Sequence, residues 1–120
     1  MKNTFTGFLV LNFLLEGLAA ITLIGGTLGI FSIAQLDAGP WAMNYGFGAA
    51  AIATAVFWVW PYRDNRQAVS PVLGILLAFH AAVFVSFAMQ GNQVPPIVVH
   101  GVMAALALIL YTQRSKWCGE

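Results

Sequence analysis

The stretch FTGFLVLNFLLEGLAAITLIGGTLGIFSI, residues 5–33, decides what kind of protein this is. It carries one charged residue, Glu16, near its middle. A hydrocarbon core about 30 Å thick is crossed by about 20 apolar residues rising about 1.5 Å each, so the run reads as a transmembrane helix. A carboxylate at the centre of such a helix costs roughly 2.5 to 3.5 kcal/mol on insertion scales. Glu16 therefore needs a compensating environment.

Working outward, the 120-residue chain is 60% hydrophobic and 8% charged, with a mean hydropathy of +0.82. Soluble domains are about half apolar, so one compact membrane domain over residues 1–120 is expected. A net charge of +1 argues for neither a nucleic-acid partner nor a strongly anionic surface, and no nucleic acid is expected. Cys118 is the sole cysteine, which rules out a disulfide framework, a CxxC redox pair or a multi-thiolate metal site within one chain. Lys2 ahead of an apolar stretch with Ala19 and Ala20 imitates a signal peptide. Glu16 inside that stretch, and a run well beyond the usual 7 to 15 or so residues, favour a retained helix.

Prolines and short polar interruptions divide the chain into four predicted spans, about residues 5–33, 41–60, 71–89 and 96–112. Only helices and closed barrels satisfy the backbone in lipid, and the alternation of a barrel strand is absent. Pro40, Pro71 and Pro96 suit first helical turns, Ser70 suits a cap, and Pro61 ends the second span. The connections are short: Ile33 to Gly39 with Asp37, Pro61 to Gln67 with Arg63, Asp64 and Arg66, and Gln90 to Val94 with Gly91 and Asn92. Short loops predict an all-α, antiparallel four-helix bundle. Lys2, Arg63, Arg66, Arg114 and Lys116 then fall on one side, and by the positive-inside rule both termini are cytoplasmic. Trp58, Trp60, Tyr62, Tyr111 and Trp117 form an aromatic belt there, with Trp41 opposite. The expected location is a bacterial inner membrane.

Counting at about 1.5 Å per residue places Glu16 and His80 both roughly 14 to 17 Å deep, near the midplane. Asn12, one turn from Glu16, completes a candidate intramembrane polar site of Asn12, Glu16 and His80. The same count from the outer face places Asn44, Tyr45 and His100 in a second layer, roughly 5 to 7 Å below the surface. Water joining the layers would make a partial proton route. Plain interhelical hydrogen bonding explains the same residues without any function. His80 and His100 are expected roughly 8 to 9 Å apart along the membrane normal, which disfavours a haem held between them. A single-ligand haem or pigment at either histidine stays open, and no metal site is expected. Gly46, Gly48, Ala49, Ala50, Ala51 and Ala53 thin the second span, and Gly17, Gly25, Gly26 and Gly29 the first, for close helix contact. Phe79, Phe84 and Phe87 read as packing or lipid-facing groups.

The order of a Gly-rich first helix, a proline before the second, an Arg-containing turn after Pro61 and a Gly/Pro turn before a short last helix resembles the DoxX-like superfamily of small four-helix membrane proteins. The resemblance covers most of the chain and rests on Gly17, Pro40, Gly74 and Pro96. It implies a fold, and some members resemble subunits of membrane oxidoreductases; it transfers no active-site residue. In size and in its first-helix glutamate the chain is also similar to the small multidrug resistance exporters, whose carboxylate exchanges protons for a cationic drug. Their third-helix tryptophan has no counterpart within Pro71 to Met89.

No constellation of catalytic side chains is evident. The leading expectation is a noncatalytic accessory or assembly subunit of a larger, redox or pigment-bearing membrane complex, with lipid and other membrane subunits or a second copy of itself as partners. The alternative is a proton-coupled transporter or binder of small molecules in which Glu16 alternates between protonated and substrate-bound states. An enzyme acting on a lipid or quinone, with Glu16 and His80 as acid and base, requires both within about 3 Å of a reacting atom.

Overall fold

The computed structural model describes residues 1–30, 32, 40–91 and 93–119. Asp37, Asn92 and the end of the first predicted span at residues 31 and 33 lie outside them. The elements are helix α1 (Lys2–Thr27), α2 (Pro40–Val59), α3 (Arg66–Gln90) and α4 (Val94–Gln113), with single 3-10 turns at Trp60–Tyr62 and Arg114–Lys116. All four helices are long and apolar enough to cross a membrane, which points to a multi-pass membrane protein. The chain forms two compact units, residues 7–60 and residues 1–6 with 61–120.

Helix ends follow local chemistry more than hydropathy. α1 stops at Thr27 because Gly29 takes a left-handed conformation, φ 69°. The amide of Ile30 then bonds the carbonyl of Gly25 at 2.9 Å and that of Gly29 the carbonyl of Gly26 at 3.1 Å. This is the Schellman closure, which glycine enters without a Cβ penalty. The helical first span is thus shorter than the apolar run. α2 begins with Pro40 at its first position, as expected.

α3 begins five residues earlier than Pro71 suggested. Asn65 caps it, its side-chain oxygen accepting from the amides of Gln67 at 2.8 Å and Ala68 at 3.1 Å. Ser70 is therefore no cap: its hydroxyl donates to the carbonyl of Arg66 at 2.8 Å inside the first turns. Pro71 lies within α3, and Gly91, at φ 72°, closes that helix with its amide on Phe87. α4 starts at Val94, so Pro95 and Pro96 both sit in its first turn, where their missing amides leave no helical bond unmade.

In the unit of residues 7–60, α1 and α2 run antiparallel. Leu23 and Ile24 of α1 lie against Gly46 of α2, where an added Cβ would come within 2.8 Å of Ile24 Cγ1. Ala20, Leu23, Ala42, Ala49, Ile52, Ala53 and Val56 are buried. The expected use of small residues for close approach is realised at Gly46.

In the other unit, α3 and α4 pack along each other, also antiparallel. Phe84 covers Gly101, while Val69, Leu73, Leu76, Met103, Ala107 and Leu110 are buried. One end of this unit is stitched by polar contacts. Arg114 Nε donates to Ser70 Oγ at 2.8 Å, and its guanidinium lies 4.0 Å from the centre of the Tyr111 ring. Lys2 pairs with Asp64 at 3.0 Å, the Phe5 and Trp117 rings are 4.7 Å apart, and Gly119 bridges to the α3 turn through Arg66 and Asp64 at 3.0 and 2.9 Å. Lys2, Arg66 and Arg114, read from the sequence as one group, are gathered at this end.

The outward surface is apolar. Leu14, Leu18, Ile21, Phe47, Phe57, Ile75, Val102 and Leu108 are all exposed, across all four helices. Such a surface is stable against hydrocarbon and prone to aggregate in water.

Candidate functional site

Each unit carries buried polar side chains within its helices. The first centre belongs to residues 7–60. Glu16 faces inward from the middle of α1 with no exposed surface, and the Tyr45 side chain of α2 interacts with its carboxyl group. Asn12, equally buried, donates its amide to the Phe8 carbonyl at 2.7 Å, one turn back on its own helix. Asn44 next to Tyr45 is exposed. Tyr45, grouped from the sequence with an outer layer, interacts with Glu16 through a side chain long enough to link levels that residue counting kept apart.

The same hairpin holds an apolar groove of about 330 Å³, lined by Val10, Phe13, Leu14, Val56, Phe57 and Trp60. That volume lies at the lower end of small-molecule sites. Its walls are almost wholly apolar, so it suits a lipophilic ligand.

The second centre belongs to α3 and α4. His80 and His100 are buried, 0% and 3% exposed, and meet Nδ1 to Nδ1 at 2.8 Å. Their rings are 5.1 Å apart at an angle of 32°, and the Phe79 ring presents its edge or face to both, at 5.3 and 6.3 Å. A hydrogen bond between like nitrogens requires one Nδ1 to carry the proton and the other to offer its lone pair. The pair thus holds two different tautomers or protonation states at once.

The expected separation of these histidines along the membrane normal does not keep them apart, since their rings are in hydrogen-bonding contact. It was counted from Pro71 and Pro96, whereas α3 begins at Arg66 and α4 at Val94. Measured from the ends they share, His80 lies ten residues before the end of α3 and His100 six after the start of α4. The four-residue difference is a rise of about 6 Å, which two facing imidazole arms bridge. Phe79, read as packing or lipid-facing, is a wall of this centre. Asn65, two residues before Gln67, was the signal that could have corrected the count.

Outside the spans, Cys118 is half-buried near the stitched end. Burial pushes its thiol up from the ordinary range, the Asp64 carboxylate adds to that, and Arg114, Arg66 and Lys2 oppose it.

No protein-family model, characterised protein or solved structure matches the chain, so the chemistry must be argued from these residues.

Proposed function

We propose that this chain is a multi-pass membrane protein that binds a lipophilic cation in exchange for a proton on Glu16. The observation that carries the reading is a completely buried carboxyl group, faced by a phenol, in the middle of an apolar helix. An ionisable group there is expensive to keep and marks a binding or proton-transfer position by default. A bound cation compensates the carboxylate; a proton compensates it when the cation leaves. The apolar groove of the same hairpin supplies the surface for the lipophilic body. Equilibrium binding of tetraphenylphosphonium to the purified protein tests this: affinity falls as pH falls, because proton and cation compete, and Glu16→Gln abolishes binding.

The same proposal places the chain in a bacterial inner membrane as an antiparallel four-helix bundle with both termini cytoplasmic. Its support is the gathering of Lys2, Arg66 and Arg114 at one end of their unit. The likeness in layout to the DoxX-like superfamily agrees with four spans and adds no chemistry.

A second reading, an accessory subunit of a larger membrane complex, is favoured by Gly7, Gly17 and Gly74. A Cβ at any of them would meet nothing within 4 Å. Among the described residues these positions make no close contact, which suits an approaching partner helix. Under this reading Gly17→Leu strips other membrane subunits from the gently purified protein and Glu16→Gln is tolerated.

A further inference from the structure

His80 and His100 present two imidazole nitrogens to one point inside the α3–α4 pair. Imidazole binds first-row transition metals at about 2.0–2.1 Å, so two nitrogens on adjacent corners of a square or octahedral ion are about 2.8 to 3.0 Å apart, and about 3.3 to 3.4 Å apart at a tetrahedral one. The observed Nδ1 to Nδ1 distance is 2.8 Å. The spacing of a chelate is therefore already set, and what a metal requires is rotation of the rings until their lone pairs converge. The surroundings favour such a ligand over water. Both residues are buried, and Phe79 covers the rings.

The choice of metal follows from the neighbourhood. Met103 lies three residues after His100 on the same face of α4 and is 2% exposed. A thioether is a soft donor that favours copper, and imidazole suits copper well.

We propose that His80 and His100 form a chelating site for copper, occupied through the two Nδ1 atoms in place of the proton they share. The exchange balances within the pair. In a neutral pair the donor ring moves its proton from Nδ1 to Nε2, both Nδ1 lone pairs become free for the metal, and no proton leaves. Copper binding thereby differs from the cation-for-proton exchange proposed at Glu16, which releases one.

The test is a titration of metal-free purified protein with Cu²⁺, followed by electron paramagnetic resonance, with circular dichroism and size-exclusion chromatography as folding controls. One copper per chain with hyperfine structure from two imidazole nitrogens is expected. His80→Gln and His100→Gln, which retain hydrogen-bonding capacity, should each lose that signal while remaining folded. His100→Cys should retain copper and add a thiolate-to-copper absorption band, which a purely structural histidine pair would not produce. Absence of stoichiometric copper in the wild type, or an unchanged signal in the His80→Gln/His100→Gln double variant, overturns the proposal.

Discussion

His80 and His100, 20 residues apart in sequence, share one hydrogen bond between like nitrogens at 2.8 Å, buried between α3 and α4. Removing one partner costs the buried bond and leaves the other ring's Nδ1 without it, whereas removing both takes donor and acceptor away together. His100→Leu should lower stability by about 1 to 3 kcal/mol, and His80→Leu/His100→Leu should recover part of that loss. Reversible unfolding in mixed micelles measures both, and additive losses in the double variant would contradict the pairing.

Gly46 sets how closely α1 and α2 approach, because its missing Cβ leaves room for Ile24 Cγ1, Leu23 Cβ and the Ile24 backbone. Gly46→Val should destabilise the protein by about 1 to 3 kcal/mol through overpacking. Gly17→Val, at a position with open space around it, should do so far less. Thermal unfolding in detergent compares the two.

The start of α3 depends on Asn65, which bonds two otherwise unpaired amides. Asn65→Ala should cost about 1 kcal/mol, and Asn65→Asp should restore most of it. Lys2→Ala, by contrast, removes an ion pair whose two side chains are 58% and 59% exposed. Exposed pairs contribute about 1 kcal/mol or less, so this variant should unfold within that margin of the wild type.

Cys118 reports on the same end of the protein. Burial first, and Asp64 second, hold its thiol above the ordinary range, so thiolate is scarce near neutral pH. Alkylation by iodoacetamide should be slower than for an unstructured cysteine peptide at pH 8 and should still be rising at pH values where the peptide has levelled off. Asp64→Asn removes a repelling charge, lowers the thiol's pKa and should speed the reaction at pH 8. An unchanged rate would show that Asp64 does not act on the thiol.

The broad architecture was legible because it follows from one-dimensional quantities. Four long apolar runs became four helices, and the basic residues Lys2, Arg66 and Arg114 came together as their placement suggested. The site was legible as an inventory but not as a set of partners. Glu16, His80 and His100 stood out because each is a polar intruder in an apolar helix. Their neighbours depended on helix register, and that turned on Asn65 capping α3 ahead of Pro71 and on Gly29 ending α1 before the apolar run ends. Side-chain reach mattered as well: Tyr45 interacts with Glu16 although counting put them in different layers. The groove beside Phe57 and Trp60 is a matter of shape, which hydropathy does not encode.

The most direct test of the central claim is proton release on ligand binding. Purified wild-type protein in weakly buffered detergent solution, mixed with tetraphenylphosphonium, should release close to one proton per cation bound, read by a pH indicator. Glu16→Gln should release none while keeping its fold. Cation binding without proton release in the wild type, or equal release in the variant, would contradict the assignment of Glu16 as the exchanging group.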